Sequence, residues 1–433
     1  MMNRFIVVSS FVILFTGDIH AQSFHSGNFL LYIDSVISAM PSGIGTNEYK
    51  TPTSTQGLLF GTAVEHCLTK KYTDAQVAAK YFGYHVIAFT DTTTAPNRLY
   101  YILLRGRDSS NHWGTFVFNP SPRRSKLVIQ SPHELFDTKT GAQGAYVFQE
   151  LSALAFFLNG SHRCNSATAS QCSGTTTACG GVSAPFKISD QAHSVDGTFQ
   201  LGTIILLQQK SDAIVVQLHG FGKGTGDPDL IMGNGTNKSP INNDYLLQLK
   251  NALSTIDTSL TFKVAHIDTS WTELTGTTNT QGRLINNSEN PCSTKPGEAT
   301  GKFLHIEQAY SKLRDTKTNW KKVSDALGIV FPAEPTSVKT SSSKLPNEFL
   351  LLTNYPNPFN PTTVIYYKLP STGFTSLKVY DDIGREVAQL VNEVQHEGEH
   401  TVQFDGKILS NGVYIVRLFC EGKFQLMKML LIK

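Results

Sequence analysis

The sequence predicts an α/β layered domain over residues 22–335 followed by a small all-β sandwich over residues 347–433. Three observations predict it. In the first part, runs rich in aromatic and β-branched residues alternate with stretches whose apolar residues recur at helical spacing, the pattern of a layered α/β sheet. In the second part, short alternating runs are separated by Gly, Asn and Pro turns, as in a β-sandwich. Between them, residues 336–346 are rich in Ser, Thr and Lys and read as a flexible linker.

Ahead of both parts, Arg4 precedes an apolar run from Phe5 to Phe15, and Ala21 offers a small residue before Gln22. Residues 1–21 are therefore expected to be a secretory signal peptide. The apolar run falls short of the roughly 20 residues a bilayer core needs, and no later segment supplies a long uncharged apolar run. Removal of the peptide leaves 412 residues (433 − 21), room for two to three domains of about 150 residues each. A composition of 40% hydrophobic and 16% charged residues allows sizeable cores. The net charge of +3, with its short basic run at Pro122–Lys126 read as a solvated turn, points to no nucleic-acid partner.

Within residues 22–335, Tyr84–Thr90, Tyr100–Arg105, Thr115–Asn119 and Leu127–Gln130 are expected strands. Gln143–Leu158 carries Ala145, Phe148, Leu151, Leu154 and Ala155 at helical spacing and is expected to be an amphipathic helix. Ala213–Leu218 is an apolar run with no turn residue, typical of a buried central strand. Asp244–Ile256 and Trp320–Leu327 are expected helices, and Phe262–Ile267 a strand. Phe303 and Leu304 lead a short β-like run in which His305 and Glu307 project to one face.

In the second part, Val364–Leu369, Ser376–Tyr380, Thr401–Phe404, Val413–Phe419 and Gln425–Ile432 are expected strands. Asp381–Arg385 reads as a turn, and Ser410–Gly412 as a hairpin turn in which Asn-Gly suits positive backbone angles. The strings NYPNPFNP (354–361), VYDDIGREV (379–387) and GEHTVQFDGKILSNGVYIVRL (398–418) precede a terminal apolar strand containing Lys428 and ending at Lys433. Together they resemble the Ig-like C-terminal sorting domain recognised by the type IX secretion system. The resemblance implies a Bacteroidota-like source, the secretion machinery as partner, and a passenger that is secreted or anchored at the cell surface.

Export makes disulfides permissible. Of six cysteines, Cys164, Cys172 and Cys179 lie in a Ser/Thr/Gly-rich stretch at spacings of 8 and 7 that do not fit a zinc knuckle. One or two disulfides are expected among Cys164, Cys172, Cys179 and Cys292, with the connectivity open.

Polar residues follow several expected strands, where open α/β sheets place their sites. His133 and Asp137 form a close pair in PHELFDTKT, His219 lies 86 residues on (219 − 133), and Glu307 another 88 (307 − 219). A catalytic zinc takes three such ligands and leaves a fourth position open, while a nearby carboxylate accepts a proton from water. The pieces PHELFD, LHGFGKGTGDPDLIMGNGT and HIEQAYSKLR resemble the N-formylglutamate amidohydrolase and carboxypeptidase-like zinc hydrolases. That resemblance implies His133 and His219 as metal ligands, with Glu307 as general base. It also implies Asp137 as carboxylate ligand, although the family's pair is spaced by three and this one by four; Glu134 is the alternative. Arg163 and Arg314 are candidate clamps for a substrate carboxylate of a peptide-like or acyl-amino-acid substrate. Asp190 and His193 are either orienting groups or a rival ligand set. The competing expectation is a non-catalytic surface protein that binds glycan or peptide, its histidines structural. No G-x-S-x-G elbow or P-loop is present, and Asp227 with Asp229 makes no calcium loop.

Overall fold

The structure, a computed structural model, describes residues 23–334, 350–369, 371–381, 385–420 and 423–433. The expected signal peptide, the linker at 336–346 and Asp382–Gly384 of the expected turn lie outside the described residues. The chain divides into two compact units, Met1–Thr336 and Ser337–Lys433.

In the first unit the strands are β1 (Ser23–Gly27), β2 (Tyr84–Asp91), β3 (Arg98–Arg105), β4 (Thr115–Phe118), β5 (Arg124–Ser131), β6 (Ala153–Leu158), a small ribbon of β7 (Thr175–Thr176) and β8 (Ala184–Pro185), then β9 (Ile214–Phe221), β10 (Leu230–Gly233), β11 (Phe262–Val264) and β12 (Phe303–Ala309). The helices are α1 (Phe29–Ser38), α2 (Ser54–Leu68), α3 (Tyr72–Lys80), α4 (Thr140–Leu151), α5 (Thr198–Gln209), α6 (Tyr245–Ile256), α7 (Thr280–Ile285) and α8 (Lys317–Val330). One ten-stranded mixed sheet runs β1-β2-β3-β4-β6-β5-β9-β12-β10-β11.

Strand alternation sends side chains to two cores. Phe29, Ile129, Phe148, Phe156, Leu218, Leu246 and Leu327 pack between the sheet and α1, α4, α6 and α8. Phe60, Phe116, Phe157, Phe199, Val215, Ile285 and Phe303 pack on the other face with α2, α3, α5 and α7. The central strands β6, β5, β9 and β12 are parallel. The chain passes from β5 to β6 on one side and then returns to β9 on the other, so the strand order switches beside β5. Such a switch point opens a crevice at the carboxyl ends of the strands.

Two expected elements of this unit are corrected. Gln143–Leu158 is not one helix: α4 ends at Leu151, Ser152 turns left-handed (φ 47°), and Ala153–Leu158 is a fully buried strand between β4 and β5. A continuous apolar run reads alike as buried helix or buried strand, and only pairing with neighbours decides. The strand at Phe262 is also shorter than expected, because Val264 donates to Asp268 and the chain turns there.

The second unit is an antiparallel β-sandwich. One sheet is β13 (Leu350–Tyr355), β14 (Thr362–Leu369) and β17 (Gly398–Asp405); the other is β16 (Glu386–Gln395), β15 (Gly373–Tyr380), β18 (Gly412–Cys420) and β19 (Lys423–Leu431). Ile365, Tyr367, Leu377, Val379, Val416 and Leu418 fill the space between them. Ser410–Gly412 is not a hairpin turn. It carries the chain from β17 in one sheet to β18 in the other, two strands that do not pair. Among the described residues no helix is long and apolar enough to cross a membrane.

Candidate functional site

His219 and Glu307 meet because β9 and β12 pair in parallel register, His219 opposite Glu307 and Gln217 opposite His305. Alternation puts Val215, Gln217 and His219 on one face of the sheet, with Phe303, His305 and Glu307 beside them. His133 follows the end of β5. The carbonyl of His133 accepts the N–H of Asp137 in a single helical turn, so a spacing of four puts both side chains on one side.

His133, Asp137 and His219 are all buried, and each offers a ligand atom within 4.8 Å of the others. Nδ1 of His133 and Nδ1 of His219 each lie 3.4 Å from Oδ2 of Asp137. A second set, His219, His305 and Glu307, meets the same limit and shares His219. Oε1 of Glu307 is 3.9 Å from His219 Nδ1 and 3.7 Å from His305 Nε2. Among the described residues no hydrogen-bond partner meets His133 Nδ1, His305 Nδ1 or Glu307 Oε2, although all three atoms are buried.

The far nitrogens of two histidines are held. His133 Nε2 lies 2.8 Å from Asp190 Oδ1, and His219 Nε2 lies 2.7 Å from Gln217 Oε1. Both acceptors call for an N–H on Nε2, which leaves the Nδ1 lone pairs directed at the Asp137 carboxylate. Buried acceptors facing one another without protons between them repel, and a cation relieves that. The donor set of two imidazoles and a carboxylate suits zinc, and imidazoles oriented from behind are the usual support of such a site.

Electrostatics agrees with neutral imidazoles at two positions. Burial pulls His219 down to about 4 and, with the neighbouring His219, pulls His305 well below its ordinary value. His133 goes the other way: burial and Arg163 lower it, but the carboxylates of Asp190 and Asp137 more than offset them. Burial raises Asp137, yet contact with His133 and His219 holds it well below the usual carboxylate range. Burial and the charge of Asp137 push Glu307 well above its ordinary value.

The two arginines expected to meet substrate are both engaged. Arg163 donates from Nε and Nη2 to Asp190 Oδ2, at 2.9 and 2.5 Å, and its guanidinium lies over the ring of Phe136. It follows strand β6. Arg314 donates to the carbonyls of Gln308, Thr138 and Phe221. A Cβ on Gly220 would lie 2.1 Å from its guanidinium carbon, so glycine makes room for that brace. Glu134 sits outside both donor sets. It accepts the N–H groups of Lys139 and Gly141 at the start of α4, and burial pushes its carboxyl up to about 7.

Asp190 arrives on a loop pinned by two disulfides, Cys164–Cys179 and Cys172–Cys292. Cys67 and Cys420 are free and buried. His193 stacks on Phe186, its Nδ1 donates to Thr278 O at 3.1 Å, and it belongs to neither donor set. Sequence reasoning gave no role to His305 or Gln217. The signal for Gln217 was a lone amide inside the apolar run AIVVQL.

Comparison with known proteins finds one family: residues 353–433 match the secretion system C-terminal sorting domain. No curated protein matches the chain. One similar solved structure is PorZ, a surface component of the type-IX secretion system of Porphyromonas gingivalis, at 24% identity over 22% of this chain and 13% of that one, with TM-score 0.16. Another is the endo-β-1,4-mannanase from Thermotoga petrophila, at 13% identity, 53% and 40% coverage and TM-score 0.16. A third is catalytically inactive OgpA from Akkermansia muciniphila with an O-glycopeptide substrate, at 9% identity, 72% and 93% coverage and TM-score 0.14. The chain thus spans 13% and 40% of the first two structures, and at these scores none of the three carries an argument about the first unit. Residues 353–433 are a type IX secretion sorting domain, and the protein is exported by that system to the cell surface or the medium.

Proposed function

We propose that the first unit is a zinc-dependent hydrolase of amide bonds, with His133, Asp137 and His219 as metal ligands and Glu307 as proton acceptor. The observation that carries it is the convergence of His133 Nδ1, His219 Nδ1 and Asp137 Oδ2, with the far side of each imidazole already held. A zinc ion there supplies Lewis-acid charge that polarises a carbonyl and eases loss of a proton from water. The charge of a bound zinc would offset the rise that burial and Asp137 impose on Glu307, so that its carboxylate, whose Oε2 has no hydrogen-bond partner among the described residues, would take that proton and return it to the leaving amine. Burial keeps bulk water from competing. Arg163 keeps Asp190 charged and in place, and its edge beside the exposed ring of Phe136 is where a substrate carboxylate docks. The amide-bond assignment rests on the sequence resemblance to acyl-amino-acid and peptide hydrolases. The sandwich of three and four strands is read as Ig-like.

The second donor set favours one further reading, in which Glu307 and His305 are themselves ligands. The test is zinc content by plasma mass spectrometry on the exported chain, purified without chelators. About one zinc per chain, lost in His133→Ala and His219→Ala variants that still fold, supports the hydrolase. A folded chain that takes up no zinc when offered it ends this reading. Glu307→Gln decides between the two roles: retained zinc without turnover marks a proton acceptor, and lost zinc marks a ligand.

A further inference from the structure

Behind His219 lies a fully buried set of amides comprising Gln130, Gln217, Gln281 and Asn279. The side-chain amide of Gln217 has four neighbours. Its Oε1 faces Asn279 Nδ2 and His219 Nε2, and its Nε2 faces the Oε1 atoms of Gln130 and Gln281 at 2.9 and 3.2 Å. An amide can be reversed without changing its shape, so its direction has to be fixed by groups that cannot reverse.

Backbone groups fix it from two sides. The N–H of Gly282, at the start of α7, donates to Asn279 Oδ1 at 2.9 Å, so the Nδ2 of Asn279 is the end that reaches Gln217. On the other side the hydroxyl of Thr203 donates to the carbonyl of Phe199 at 2.8 Å. That hydroxyl therefore accepts from Gln130 Nε2, and Gln130 Oε1 is the end that reaches Gln217. Gln281 agrees: its Nε2 donates to the carbonyl of Gln191, leaving Oε1 for Gln217. Read from either backbone anchor, Gln217 presents oxygen to His219.

We infer that Gln217 is a positioning residue that fixes the tautomer of His219, holding the proton on Nε2 so that Nδ1 faces Asp137 with its lone pair. This deepens the metal reading, on which its functional meaning rests. His133 has the same arrangement with a carboxylate, Asp190, in place of the amide. His305 lacks it, since its Nδ1 has no hydrogen-bond partner among the described residues, which separates His305 from the two histidines held from behind.

The test is nitrogen NMR on the full chain with ¹⁵N-labelled histidine, stripped of metal with a chelator, the His219 signals assigned with a His219→Gln variant. The expected result is a neutral imidazole with the proton on Nε2. In Gln217→Met, close in volume and without the acceptor, that preference is lost and the affinity for added zinc chloride falls about 10–100-fold. A wild-type chain with the proton on Nδ1 overturns the inference without any variant. So does a folded Gln217→Met chain with unchanged tautomer and affinity. The Nε2 tautomer in a chain that takes up no zinc supports the role of Gln217 and removes the metal reading instead.

Discussion

Asp190 holds His133 and Arg163 at once, with Oδ1 2.8 Å from His133 Nε2 and Oδ2 shared by two nitrogens of Arg163. All three side chains are buried, so the carboxylate has two positive or proton-donating neighbours in a setting where neither can be replaced by water.

Asp190→Ala leaves Arg163 charged and unpaired, and unpairing a buried ion costs about 3–5 kcal/mol. The urea midpoint should fall accordingly. Zinc affinity should drop about 10–100-fold in any fraction that folds, because His133 loses its orienting partner. A variant as stable as the parent would show that the pair contributes little.

The two disulfides should differ in worth. Cys172–Cys292 closes a separation of 120 residues and Cys164–Cys179 one of 15. Removing either pair as serines is expected to cost about 2–5 kcal/mol, the longer loop losing roughly 1–2 kcal/mol more by closure entropy. Urea unfolding of the two double variants gives the order.

Stability should decline in acid partly through His193. Burial draws its pKa down to about 3 from an ordinary value of 6.5. The unfolded chain therefore binds that proton more readily, so the contribution is intact above pH 6.5 and is lost as pH falls toward 3. One proton corresponds to about 1.4 kcal/mol per pH unit within that window. His193→Phe should flatten the urea midpoint's dependence on pH by about that slope; an unchanged slope would assign the acid sensitivity to other groups.

A chain truncated before residue 353 should accumulate inside the cells, whereas the intact chain appears at the surface or in the medium. Immunoblotting of cell and medium fractions from a host with the secretion system distinguishes the two. Normal export of the truncated chain would move the sorting signal elsewhere.

Much of the fold was legible because it is written locally. Aromatic and β-branched enrichment placed β2, β3 and β5, an apolar run without turn residues placed β9, and Asp244, expected to open a helix, caps α6 through the N–H of Leu247. The boundary at Ser152 was not legible. Nothing in an unbroken apolar run says where a helix hands over to a strand, and burial between β4 and β5 is what makes Ala153–Leu158 extended.

By itself the sequence determined the sorting domain, a string of motifs in fixed order, and the His133–Asp137 pair, which one turn of chain brings together. Only the tertiary structure decided the rest of the site. The register of β9 on β12 sets His219 against Glu307, the disulfide-pinned loop delivers Asp190 to His133, and two backbone anchors orient Gln217. The reason is range: a turn or an alternation is settled by neighbours in the chain, whereas strand order, loop return and the direction of a buried amide are settled by partners far away in it.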